Sequence, residues 1–108
     1  LDMQWDVILI NNFVHLFTHQ EVQKIIDKLY GNLKTNGKII IFDQFFGINK
    51  IFDRFCSYMD LNYLTVGGAC HDKSDIYELL AKYFPTKSIK FRPLYMFPGC
   101  GIFETSKQ

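Results

Sequence analysis

Two short apolar runs stand in the first half of the chain, Asp6-Val7-Ile8-Leu9-Ile10 and Lys38-Ile39-Ile40-Ile41-Phe42. Each ends in polar residues, Asn11-Asn12 after the first and Asp43-Gln44 after the second. Neither alternates apolar with polar, which is the pattern of strands buried on both faces of a parallel sheet. Between them Val22, Ile25, Ile26, Leu29 and Leu33 recur at helical spacing, while Gln20, Glu21, Gln23, Lys24, Asp27 and Lys28 fall mostly on the opposite face. Thr18 and Glu21 have the spacing of a capping box, and Asn36-Gly37 supplies residues that tolerate positive φ just past the expected helix end. Strand, helix and strand make a βαβ unit, whose crossover should be right-handed.

Ile48, Ile51, Phe52, Phe55 and Met59 predict a second, aromatic-rich helix over most of the segment from Ile48 to Leu64. Gly67-Gly68 breaks the chain after it. Asp72, with Asp75 three residues on, can cap a third helix whose apolar stripe is Ile76, Leu79, Leu80, Tyr83 and Phe84, and Pro85 ends it. Ser88 to Phe91 and Gly101 to Thr105 read as two strands, and their closeness favours an antiparallel hairpin. The expected class is therefore α/β: a parallel βαβ pair, then helices, then a C-terminal antiparallel hairpin.

With 108 residues, 48% hydrophobic, the chain has material for one core, so residues 1–108 are expected to form a single domain. Twelve basic against eleven acidic residues leave a formal charge of +1, and no global field would draw the chain to nucleic acid or an anionic membrane. Neither is an expected partner. Cys56, Cys70 and Cys100 are odd in number and lack a C-x-x-C pair, which argues against a disulfide framework. Cys70-His71 with Cys100 does not have the ligand spacing of a zinc motif, so no metal is expected. The cysteine usage makes a reducing cytoplasm the expected setting, and with no apolar run near the roughly 20 residues of a bilayer span and no signal-peptide order, a soluble protein is expected.

Ligands of open α/β sheets bind outside the carboxyl ends of the parallel strands, which directs attention to Asn11–Phe17 and Asp43–Phe46. His15, in the loop before the capped helix, can project into a crevice there or serve only as a helix-entry residue. Asn11-Asn12 is a ligand contact or a turn, and Asp43 a site residue or a cap. The aromatic stripe of Phe52, Phe55 and Tyr58 lines a pocket or forms core or interface.

The stretch Trp5-Asp6-Val7-Ile8-Leu9-Ile10-Asn11-Asn12-Phe13-Val14-His15-Leu16-Phe17, followed by the helix and by Leu33-Lys34-Thr35-Asn36-Gly37-Lys38-Ile39-Ile40-Ile41-Phe42-Asp43, resembles the fourth strand, helix and fifth strand of class I S-adenosylmethionine (SAM) methyltransferases. Val14-His15, Asp60-Leu61, Gly67-Gly68 and Leu79-Leu80 bring it closest to the small-molecule O-methyltransferases. The resemblance implies the C-terminal half of a Rossmann-like methyltransferase domain, with SAM as cofactor and a small-molecule hydroxyl as methyl acceptor. It places His15 as general base, Asp43 as the acid that orients it, Asn11 and Asn12 beside the cofactor, and Phe55, Met59 and Tyr63 in the acceptor pocket. Two positions depart from the family. Leu16 replaces an aspartate common in plant members, and Cys70 stands where those keep a second acidic partner. The glycine-rich cofactor loop of the family belongs to a preceding half, so Asp6 to Ile10 should present an unpaired edge that pairs with that half or with a second copy. A non-catalytic module that dimerises through its aromatic helix is the alternative reading. A nicotinamide-binding Rossmann protein fits the hairpin and the N-x-x-H spacing poorly.

Overall fold

The computed structural model describes residues 3–64, 70–94, 97 and 99–108, and for 61–64 the backbone alone. Gly67-Gly68 therefore lies outside the described residues. Strand β1 (Trp5–Asn11) is followed by a 3₁₀ turn (Val14–Leu16), helix α1 (His19–Gly31) and strand β2 (Leu33–Phe46). Helix α2 (Lys50–Leu64), the two-residue β3 (His71–Asp72), α3 (Lys73–Ala81), β4 (Lys90–Pro93) and β5 (Cys100–Ser106) complete the order. The sheet runs β1-β2-β5-β4, with β3 against the end of β2. β1 and β2 are parallel, whereas β2 with β5 and β5 with β4 are antiparallel. The βαβ pair and the terminal hairpin are thus the ones the patterning predicts.

One face of this sheet is sealed. Ile10 of β1, Ile39, Ile41 and Phe45 of β2 and Phe103 of β5 share a buried cluster with Val22 and Ile26 of α1 and Ile76, Leu79 and Leu80 of α3. Phe45 meets Phe103 edge-on at 5.2 Å between ring centres. The opposite face has no such cover among the described residues: Val7 and Leu9 are 54% and 63% exposed, and Ile40, Phe42 and Ile102 are half-buried. Burial on both faces, expected from the unbroken apolar runs, therefore holds for one face only.

The start of α1 is the capping box of the sequence: Thr18 Oγ1 accepts from the Glu21 N–H, and Glu21 accepts from the Thr18 N–H at 3.0 Å. Its end is not where the spacing puts it. The helix stops at Gly31, Asn32 caps it by donating to Leu29 and Lys28 carbonyls, and Leu33 opens β2 instead of extending the helical stripe. Tertiary partners decide this. Trp5 N–H takes the Asn32 carbonyl, and Lys107 Nζ takes those of Tyr30 and Leu33 at 3.0 and 2.9 Å. Asn36-Gly37 forms an irregularity within β2, where the register jumps from Trp5↔Leu33 to Val7↔Lys38. Asn36 has φ +68, and a Cβ on residue 37 would stand 2.8 Å from the Lys34 carbonyl, so glycine is required there.

Asp72 does cap α3, accepting from the Ser74 N–H at 2.8 Å. The helix ends at Ala81, however, and Tyr83 and Phe84 follow it, with Phe84 still buried. β4 begins two residues later than the expected Ser88. That serine belongs to a 3₁₀ turn, where its hydroxyl donates to the Pro85 carbonyl and meets the Thr105 hydroxyl, both at 2.8 Å. Strand β3 has no counterpart in the sequence reading.

Candidate active site

Because β1 and β2 are parallel and in register from Val7↔Lys38 to Asn11↔Phe42, β1 ends beside Phe42 while β2 runs on to Phe46. Asn12 then turns the chain with φ +52, its N–H donating to the Phe42 carbonyl at 2.8 Å. Asparagine is one of the few residues besides glycine that adopts this left-handed conformation readily. The turn sends the 3₁₀ segment across the end of β2. There His15 Nδ1 lies 3.0 Å from Asp43 Oδ1, and the His15 backbone N–H donates to Asp43 Oδ2 at 3.2 Å. Gln44 N–H adds a 2.8 Å bond to Oδ1.

The side chain of Asp43 is 0% exposed and that of His15 15%. A carboxylate only accepts hydrogen bonds, so Nδ1 is the ring nitrogen that donates to it. Holding the ring and the main chain of one residue with the two oxygens of another fixes both the place and the orientation of the imidazole. Such a pair can accept a proton at a defined point, the arrangement a general base needs.

Asn11 and Asn12 are exposed at the carboxyl end of β1, and Asn11 lines a cavity of about 460 Å³ with Ile8, Leu9, Ile10, Phe13, Ile25 and Leu29. Helix α2 is tied to the same end of β2 by Cys56, whose Sγ lies 3.4 Å from the Phe45 carbonyl. Asp60 near the end of α2 holds the Cys70 N–H. Phe55 on α2 is 41% exposed and Met59 half-buried, while the side chain of Tyr63 lies outside the described residues.

Cys70 is held well above the ordinary thiol range by its hydrogen bond with Cys56 and by burial, and burial raises Cys100 as well. Neither is a ready nucleophile at neutral pH. Among the described residues no three His, Cys, Asp or Glu side chains gather as a metal site. No helix among them is long and apolar enough to cross a membrane.

His71 is the residue that sequence reasoning missed. Its buried ring places Nε2 3.0 Å from the Val14 carbonyl and 2.9 Å from that of Phe17, on either side of His15. No local signal could have shown it, since the contact joins positions 57 and 54 apart in the chain.

This architecture is found in solved methyltransferase structures. An O-methyltransferase family protein from Burkholderia thailandensis superposes with a TM-score of 0.81 at 15% identity, over 99% of this chain and 31% of that one. An O-methyltransferase family 2 protein from Planctomyces limnophilus, in complex with apigenin, gives 0.78 at 15% identity over 97% and 31%. Human N-acetylserotonin methyltransferase, in complex with SAM, gives 0.77 at 15% identity over 94% and 29%. The chain has the Rossmann-like half-sheet fold of these enzymes and spans about 30% of their length. No family model matches it, and no curated protein does.

Proposed function

We propose that residues 1–108 are the C-terminal part of a SAM-dependent methyltransferase domain that methylates a small-molecule hydroxyl, with His15 as general base. The observation that carries this reading is the His15–Asp43 pair, at 3.0 Å, on the carboxyl ends of two adjacent parallel strands. A hydroxyl is a weak nucleophile until it loses its proton. His15 Nε2 takes that proton, and the buried Asp43 carboxylate, already bonded to Nδ1–H, stabilises the imidazolium that results. Phe55 and Met59 of α2 form one side of the acceptor pocket.

The residues present fit one wall of a cofactor crevice. The amides of Asn11 and Asn12 are exposed beside the outer edge of β1, which has no partner strand among the described residues. Held there, SAM would supply an electrophilic sulfonium methyl, whose carbon would bond to the deprotonated oxygen as its C–S bond breaks and the electron pair leaves with sulfur. The chain's own contribution is to hold the acceptor, remove its proton and keep the basic nitrogen aimed. The remaining strands of the domain pair with the edge of β1, and elements packed on the open face cover Val7 and Leu9.

The exposure of Ile51 and Tyr58 beside Phe55 on α2 favours a second reading, a methyltransferase-like module that binds a partner or a second copy through this helix. One experiment separates the two. SAM binding and methyl transfer to small phenols are measured for the gene product containing this chain and for its His15→Ala variant. The enzyme reading expects SAM binding by both and a rate lower by about 10²–10⁴-fold in the variant. An undiminished rate would remove His15 as the base, and absence of SAM binding would leave the interaction module.

A further inference from the structure

The turn that carries His15 is held from two directions, and both holds are anchored on one strand. From β2, Asp43 takes the ring and backbone N–H groups of His15. From the other side, His71 Nε2 stands 3.0 Å from the Val14 carbonyl and 2.9 Å from the Phe17 carbonyl. Carbonyl oxygens only accept, so Nε2 carries a proton and shares it between the two in a three-centre bond. One acceptor belongs to the residue before His15 and the other to the second residue after it, so the bond spans the turn.

His71 is itself fixed. It pairs with Phe45, two residues beyond Asp43 on β2, and the next residue, Asp72, caps α3. Asp43 and His71 therefore belong to one rigid frame, and the His15 turn hangs between them. Removing the His71 donor leaves the buried Val14 carbonyl with the Phe17 N–H at 3.1 Å and takes from the Phe17 carbonyl the donor that reaches it from β3, so the turn keeps its internal bond and loses its tie to the frame.

We propose that His71 is a positioning residue: by donating Nε2–H to the carbonyls of Val14 and Phe17, it sets the aim of the His15 imidazole without touching substrate. The kinetic consequence rests on His15 being the base, whereas the geometric one does not.

The test uses the ¹⁵N-labelled 108-residue chain, with the imidazole nitrogens followed by long-range ¹H–¹⁵N correlation at pH about 8.5, above the usual histidine range. In the native chain His71 is expected as the Nε2–H tautomer and His15 as a single Nδ1–H tautomer. His71→Leu, which keeps an apolar side chain but has no donor, should turn His15 into a mixture of tautomers. His71→Gln, whose amide nitrogen offers two hydrogens at similar reach, should restore the single form. In the longer gene product, His71→Leu should lower kcat about 10- to 100-fold with KM for SAM unchanged, as expected of a misaimed base. A native His71 protonated on Nδ1 alone would overturn the proposal, as would a folded His71→Leu chain with unaltered His15 signals. Should His71→Leu not fold, a folded His71→Gln chain with mixed His15 tautomers overturns it, and one with the native His15 signals supports it. Absence of methyl transfer by the unaltered gene product would dismiss the base reading and leave the tautomer result to stand alone.

Discussion

Ile39 and Ile40 are neighbours of the same residue type in the same strand, yet one is sealed and the other is only half-buried. The difference is the face. Inward, Ile39 joins Ile41, Phe45 and Phe103 beneath α1 and α3. Outward, Ile40 and Phe42 lie with Leu9 of β1 and Ile102 of β5 on a face that the described residues leave open. An apolar run in sequence therefore specifies two surfaces. The chain uses the inward one to hold itself together, and the outward one has the composition of a surface awaiting a partner.

The strongest way to test this contrast is to empty a position under the inward face. Leu80 of α3 is fully buried in the cluster, and Leu80→Ala removes its contacts and leaves a cavity. We expect a loss of about 2–5 kcal/mol in urea unfolding. A loss below about 0.5 kcal/mol, the ordinary size for an exposed position, would mean that this layer does not secure the fold.

Asp43 stands on the same inward side, at the end of the strand, but its burial serves a polar node. Asp43→Asn keeps the shape, yet gives the amide only one oxygen for the three donors now shared by two carboxylate oxygens. The expected cost is about 1–3 kcal/mol of stability, because a buried donor loses its partner. The His15 ring should also lose its single tautomer. A native-like stability together with a native His15 spectrum would show that the pair is not held as its geometry indicates.

The extent of the sequence's legibility follows from the range of the contacts involved. The capping box of Thr18 and Glu21, the βαβ unit, the Asp72 cap and the terminal hairpin depend on neighbours within a few residues or on short connections, and the patterning predicts each of them. The stop of α1 at Gly31 depends on Trp5 and Lys107, and β3 depends on Phe45, so none of this is visible in a local window. In the site, strand-end logic and family resemblance brought His15 and Asp43 into view. His71 carried only a weak hint of metal binding, and its actual partners, two main-chain carbonyls, leave no mark in any sequence pattern.

Smaller effects come from the start of α1, the helix that covers the inward face. Thr18→Ala should cost about 1 kcal/mol, the usual value of a lost N-cap. The backbone N–H of Thr18 and then its hydroxyl hold Glu21 below the ordinary carboxylate range. A group lowered in this way adds stability above its unfolded-state value and loses it as pH falls through its folded-state value. The gap between native and Glu21→Gln should therefore be fully present at pH 7 and close on acidification, whereas part of the Thr18→Ala gap should remain. A Glu21→Gln gap that widens in acid would contradict the capping geometry.

The smallest stability change belongs to the outward face, where it is the most informative. Leu9 is 63% exposed on the edge strand, so Leu9→Lys removes little buried surface and should shift unfolding by less than about 0.5 kcal/mol. A charge on an edge strand also discourages pairing with another chain. The isolated 108-residue chain should accordingly become less self-associating in sedimentation while its melting is nearly unchanged. In the proposed longer gene product, with this face covered, the same substitution should behave like a core defect and cost several times more. An equal and small cost in both would mean that nothing covers Val7 and Leu9, and the two faces would then differ by design of this chain alone.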